Sequence, residues 1–317
     1  MTFLLLATAC FPTVTATDTA DTADTGDTDA EHTGGHTGEP PTVGTFEKYK
    51  TDSTASLRGV YSSGSGVYLV GSRGTAWVGS ASDGFEAFDV PGELAGVDLN
   101  DVWGSGKESS LELVVPADQG WVGIYSGETW VTHMTGGRDN RAASATSATD
   151  VYVVGDNGVM YFDGASWSLI YDAEVELYDV CAYSGGALVV GAEGTVLSCM
   201  SSSCSELDSG RSANFRGVAC NDDGEGWVVG DQGQALSYDG DDFKSVGTEI
   251  DTTLNAVFMD GDEAIAVGNT GVAIKYDGDD WLPMDVDTDQ NLWGVHGVSA
   301  ANAWTVGDGG VALQYKD

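Results

Sequence analysis

The stretches "VVGDNGVMYFDGASW" (153–167), "VVGDQGQALSYDGDDF" (228–243) and "AVGNTGVAIKYDGDDW" (266–281) are one phrase written three times. Each is an apolar run, a Gly-x-x-Gly turn, a second apolar run and then D-G-x-x-aromatic. Working outward, a short stretch of the form L-x-x-V precedes each phrase, and seven such stretches occur: "LRGV", "LNDV", "NRAA", "LYDV", "FRGV", "LNAV" and "LWGV". Their fourth residues are Val60, Val102, Ala143, Val180, Val218, Val257 and Val295, spaced by 42, 41, 37, 38, 39 and 38. A period of about 40 residues built only from strand-like patterns marks the blade of a propeller.

Inside each copy, an L-x-x-V stretch, two apolar runs and the segment after D-G-x-x-W/F read as four strands, with no helical period. The turn glycines are Gly71/Gly74, Gly155/Gly158, Gly191/Gly194, Gly230/Gly233, Gly268/Gly271 and Gly307/Gly310. They are expected to supply the positive φ of tight turns. Copy two is the least regular, with Pro116 read at the first glycine position. The seventh copy ends at "VALQYKD", after its third strand, and "TFEKY" from Thr45 is the candidate for the missing fourth. The expected fold is all-β: a seven-bladed β-propeller of four-stranded antiparallel blades, the last completed by an N-terminal strand. Pairing the two ends in one blade removes an open sheet edge.

The segments "GWVVGDQGQALSYDG" and "NAWTVGDGGVAL" resemble the repeats of bacterial Asp-box-like (BNR-like) propellers. That group includes photosystem II stability/assembly-factor-like proteins and many surface lipoproteins. The resemblance covers residues 45–317 and implies repeat type rather than function. The turn here reads Y-D-G-x-x-W instead of a full S-x-D-x-G-x-T-W Asp-box.

The opening "MTFLLLATAC" resembles the end of a bacterial lipoprotein signal, which implies lipidation of Cys10, although no Lys or Arg precedes the apolar run. The run is too short to span a bilayer, which needs about 20 apolar residues. Residues 11–44 are nearly all Thr, Asp, Ala and Gly, a composition that cannot bury enough apolar area to offset chain entropy. We therefore expect a signal remnant at 1–10, a disordered tether at 11–44 and the propeller at 45–317. The expected location is extracytoplasmic, lipid-anchored to a bacterial membrane, at the outer surface or in the periplasm. His32 and His36 in the tether have no partner ligands at metal spacing.

Lys+Arg number 12 against 50 Asp+Glu, a formal charge of −38. Phosphate backbones are held by Lys and Arg, so nucleic acid is excluded as a partner. A protein or glycan partner at the cell envelope is expected, with the propeller a monomer. Apart from Cys10, four cysteines remain. Cys199 and Cys204 flank the turn that carries D-G-x-x-W in other copies, so a bridge there replaces the aromatic staple. Cys181 and Cys220 fall one residue apart in the innermost strands of neighbouring blades, a second expected disulfide. Disulfides belong to an oxidising compartment. "DVDTDQN" from Asp285 echoes a calcium loop, but Gln290 stands where Gly is required and His296 where a bidentate Glu is required. It reads as a solvated acidic loop, and no metal or cofactor is expected.

Propeller geometry places the Gly-x-x-Gly turns and the blade-to-blade connections on one face, the top. All six arginines map there: Arg58, Arg73, Arg138, Arg141, Arg211 and Arg216. The second position of L-x-x-V reads Arg58, Asn100, Arg141, Tyr178, Arg216, Asn255 and Trp293 around the ring. With Arg73, these are the candidate ligand-binding residues at the mouth of the central channel. Guanidinium forks suit carboxylate or phosphate, and aromatic rings suit sugars or peptide side chains. The expected function is a non-enzymatic binding or assembly scaffold for an anionic group, a peptide carboxylate or an acidic glycan. The alternative is a glycoside hydrolase or polysaccharide lyase on a propeller scaffold, which needs a carboxylate pair or a Tyr–Glu–arginine-triad site. No Glu recurs beside the ring, and His133 and His296 lack a nucleophile partner, so no catalytic residue is assigned.

Overall fold

Runs such as "VYVV" (151–154) and "GWVVG" (226–230) are β-branched and aromatic, bounded by glycine and polar turns, and suit a pleated, doubly covered sheet. The computed structural model describes residues 42–136, 138–156 and 158–317, and in it these runs form seven sheets. Cys10 and the tether up to residue 41 lie outside the described residues. Blade one runs from hub to rim as Leu57–Ser62, Val67–Gly71, Thr75–Ser80 and Gly84–Ala87. Blades two to six repeat the order over 103–134, 140–171, 177–207, 215–245 and 254–283. The expectation of a seven-bladed, antiparallel propeller is met.

No sheet hides its own faces. Val154 and Val159 of blade three share one fully buried cluster with Leu177, Val189 and Leu197 of blade four. Leu57 and Leu69 of blade one likewise pack with Trp304 and Val306 of blade seven. The core is therefore seven apolar wedges between blades, each of which needs its neighbour.

The hub-side glycine of each turn is fixed by close approach. A Cβ on Gly71 would stand 2.1 Å from the Ser56 carbonyl oxygen, and one on Gly155 2.2 Å from that of Asp139. Ala117, not Pro116, occupies this place in blade two, where the backbone opens to φ −143° and ψ 166°. The turn also differs from expectation in which residues carry positive φ. Arg73, Gln119, Glu193, Gln232 and Thr270, between the glycines, are left-handed, followed by the second glycine at φ 67–80°. In four turns an Asp or Asn from the next blade's entry accepts the N–H of that left-handed residue. The pairs are Arg73 to Asp98, Gln119 to Asp139, Glu193 to Asn214 and Thr270 to Asn291, at 2.8–3.1 Å.

On the opposite face, Asp163, Asp239 and Asp277 each accept two N–H groups of their own hairpin. Those bonds, together with one donated by Lys244, hold the Asp239 carboxyl down at about 2. The following aromatic ring folds back, as Phe243 does on Tyr238 at 4.5 Å. In blade four a Cys199–Cys204 disulfide stands in that place.

Blade seven contains Leu292–Ser299, Asn302–Gly307, Ala312–Lys316 and, outermost of the expected four, Thr45–Tyr49. The latch strand runs antiparallel, pairing Phe46 with Tyr315 and Tyr49 with Ala312. Thr45 therefore lies at the end of the blade away from the Asp308–Gly310 turn. Part of the acidic segment read as a solvated loop is ordered: Asp285–Val286 pairs in parallel with Thr45 and Phe46 as a fifth strand. The latch is thus covered on both edges, and Phe46 is 1% exposed. Phe46→Ala should destabilise the ring by about 3–5 kcal/mol, read as a lower melting temperature. Glu47→Ala on the exposed side of the same strand should leave the melt within about 0.5 kcal/mol of the parent. Equal effects would mean that the strand is not a latch.

Candidate functional site

In six blades the ladder between the innermost strand and its neighbour slips by one residue, always at the second position of L-x-x-V. The skipped residues are Arg58, Arg141, Tyr178, Arg216, Asn255 and Trp293. In blade two, Leu99 bridges Ala117 and the ladder resumes at Trp103, which leaves Asn100 in the same place. A bulge re-aims the side chain it frees. Here all seven freed side chains line one cup of about 370 Å³ at the channel mouth, together with Ser56 and Asp308. The structure brings the seven ring residues together. Arg73 lies elsewhere, exposed in an outer groove with Asp52 and Trp77. Arg138 donates to the Asp156 carbonyl, and Arg211 lines a separate recess with Glu193 and Asp208.

The mouth arginines are held by acids that the repeat did not advertise. Arg58 pairs with Asp98 at 2.7 Å and also donates to Asn100. Arg141 is shared by Asp156 and Glu176, at 3.0 and 2.9 Å. Arg216 donates through Nε to Asp231. Asn100 donates to Asp118, and Trp293 Nε1 donates to Asp308 at 2.8 Å. Three guanidinium groups thus face six carboxylates, so every mouth arginine is paired and the mouth is a hydrogen-bonded network with acids in excess rather than a bare cationic patch. Arg216 keeps the most open fork. It lies 4.5 Å over the Tyr178 ring, with Arg141 at 5.6 Å from the same ring, and its Nη1 and Nη2 meet no acceptor among the described residues. Tyr178 is fixed in turn by donating to Glu176 at 2.8 Å.

Below the mouth, the fourth-position residues Val60, Val102, Ala143, Val180, Val218, Val257 and Val295 form a buried apolar collar. Between the layers, the third position reads Gly59, Asp101, Ala142, Asp179, Gly217, Ala256 and Gly294. The two aspartates face the lumen but are enclosed by the ring. Asp101 accepts the N–H groups of Val102 and of Ala143 in the next blade. Asp179 accepts those of Val180 and Val218. Burial raises Asp101 to about 6. Burial, with the charge of Asp101 second, raises Asp179 to about 8, against the lowering effect of its two N–H bonds. Deeper still, the Cys181–Cys220 disulfide joins the inner strands of blades four and five, directly below Tyr178 and Arg216 in those strands. His296 accepts the Ser62 N–H through Nδ1 and is pushed down to about 4 by burial, so it is neutral. Among the described residues, no cluster of three or more His, Cys, Asp or Glu side chains is arranged to hold a metal ion.

Because the folded pKa of Asp179 lies above the unfolded carboxylate value of about 4, the folded state holds this proton more tightly. Its stabilising contribution is full below about pH 4 and is lost as pH rises through about 8. Asp179→Ala, the residue type found at this position in blades three and six, should therefore be least stable relative to the parent at pH 5. The gap should narrow by pH 9. Denaturant midpoints at pH 5, 7 and 9 test this, and a gap that stays constant or widens would refute the assignment.

No protein-family model matches the chain, and no curated protein matches it. Solved structures do. YCF48 from Cyanidioschyzon merolae aligns over 86% of this chain and 99% of its own, with a TM-score of 0.69 and 14% identity. YCF48 bound to D1 peptide aligns over 88% and 100%, with a TM-score of 0.70 and 14% identity. The WD40 β-propeller domain of Doa1 aligns over 87% and 98%, with a TM-score of 0.72 and 14% identity. At this identity the likeness is one of fold, and the chain is similar to these proteins as a seven-bladed propeller.

Proposed function

We propose that the protein is a non-enzymatic binding scaffold whose top-face mouth takes a peptide segment, with a carboxylate of that segment on the Arg216 fork beside Tyr178. The observation that carries this reading is the bulge, which aims one side chain per blade into a common cup. The side chains are fixed in advance by ion pairs and stacking, so little ordering is left to oppose binding. The open Nη edge of Arg216 suits bidentate recognition of a carboxylate, and exposed Trp293 offers a rigid aromatic wall. A peptide-bound relative in fold supports a peptide over an acidic glycan as the ligand.

Selection of random peptides with free C-termini on the propeller tests the reading. Enrichment should vanish in the Arg58→Ala, Arg141→Ala, Arg216→Ala triple variant. Converting an acidic side chain of a selected peptide to its amide, or Arg216→Ala alone, should weaken binding about tenfold, which is about 1.4 kcal/mol. Equal enrichment on parent and triple variant would overturn it.

One observation favours the enzymatic alternative: Tyr178 donates to Glu176 beside two arginines, as a tyrosine nucleophile with its base would. Burial raises the Tyr178 pKa, the wrong direction for a nucleophile. Each arginine is also tied to its own acid instead of converging on a substrate carboxylate. Hydrolysis of sialosides by the parent and not by Tyr178→Phe would reverse the order of the two readings.

The two disulfides fit an oxidising, extracytoplasmic compartment. No helix among the described residues is long and apolar enough to cross a membrane. We further propose a lipid anchor at Cys10, with residues 11–44 as its tether. The latch strand enters the ring from the face away from the mouth.

A further inference from the structure

The bulge has a second product. With the same ladder register in each blade, the fourth-position N–H turns away from the sheet and into the lumen. Four consecutive blades meet these donors with protein: Asp101 takes Val102 and Ala143, and Asp179 takes Val180 and Val218. The next three, Val257, Val295 and Val60 of blades six, seven and one, have no side-chain acceptor among the described residues. The third position there is Ala256, Gly294 and Gly59, which carry no oxygen. Space forbids one at the last two, since a Cβ on Gly294 would stand 2.7 Å from the Arg58 carbonyl oxygen and one on Gly59 2.6 Å from Val102 N. Enclosed N–H groups are almost always met by an acceptor. For these three, the acceptor must come from the lumen.

We infer that the amides of Val257, Val295 and Val60 form an arc of donors that binds a carboxylate inside the channel, on the wall away from Asp101 and Asp179. Asp101 and Asp179 show that one carboxylate spans the amides of two neighbouring inner strands, so the arc offers two adjacent pairs, Val257 with Val295 and Val295 with Val60, to a carboxylate that carries no tether to the wall. The inference rests on the peptide reading and deepens it: with a side-chain carboxylate of the segment on the Arg216 fork, the chain's terminal carboxylate lies beneath the mouth. A free small carboxylate has the same chemistry.

Acetate titration followed by amide NMR of the folded protein tests the arc directly. Val257, Val295 and Val60 should shift downfield saturably, while the amides of Val102, Ala143, Val180 and Val218, already bonded to aspartate, should not. Absence of saturable shifts would overturn the inference. Ala256→Asp copies the Asp101 arrangement into blade six. It should shift Val257 and Val295 without acetate and weaken the acetate response at least tenfold, and an unchanged response would also overturn it. The Arg58→Ala, Arg141→Ala, Arg216→Ala variant should keep the acetate shifts even as it loses peptide, which separates the two readings. A selected peptide that moves the arc amides only with a free C-terminus identifies a chain end as the source. A response to acetate but to no peptide identifies a small carboxylate. A peptide that occupies the mouth and leaves the arc unmoved overturns the arc as its terminal site.

Discussion

A propeller is a closed stack in which every sheet borrows its neighbours to cover its faces, so a single unclosed seam would leave two apolar faces in water. In this protein the ring closes within blade seven, where Thr45–Tyr49 joins three strands from 292–316. Residues 50–56 carry the chain from that strand into the first strand of blade one. The packing of Leu57 and Leu69 against Trp304 and Val306 covers the seam between blades one and seven, and the ladder from Phe46 to Tyr49 completes the outer part of blade seven. Asp285–Val286 then covers the latch's remaining edge. Closure fixes the radius at which seven inner strands meet, and that radius places seven side chains around one cup.

Within that constraint the four letters of L-x-x-V divide the work. The first is buried between blades and is apolar in all but Asn140, and the fourth forms the collar. The second is released by the bulge and carries the chemical variety of the mouth. The third must be small where the next inner strand passes close, as at Gly59 and Gly294, or must bond to that strand, as Asp101 and Asp179 do. The electrostatics follow the same layering. Arginines at the rim are balanced by acids from the turns and blade entries, while the acids below are shielded by burial and hold protons at neutral pH more readily than free carboxylates.

Much of this was legible in the sequence because a forty-residue period is long and redundant. The split blade could be read from "TFEKY" and "VALQYKD", and both disulfides from the places where cysteines interrupt the repeat. The ring of second-position residues was legible as a list. Why those residues point inward was not, since a ladder slip has no composition of its own. The partners of the arginines were hidden for a related reason: Asp98 and Glu176 sit just before the repeat unit, and Asp156 and Asp231 sit in turns that read as mere turn chemistry. Pro116 was misplaced by one because Ala117 can stand where other blades need glycine. The donor arc was invisible because backbone N–H groups leave no letter in the sequence, and the only trace is the run Ala256, Gly294, Gly59 where an oxygen is missing.

The direction in which Thr45–Tyr49 enters blade seven also sets how the molecule carries load. Its first residue lies at the end of the blade remote from the mouth, and the strand runs toward the mouth with one antiparallel partner, Ala312–Lys316, along its length. Tension between something gripped at the mouth and a hold on the amino-terminal side pulls along the strand axis. The bonds to Ala312–Lys316 are then strained together, in shear, and do not open one after another like a zipper. A closure strand entering from the other face would peel under the same pull.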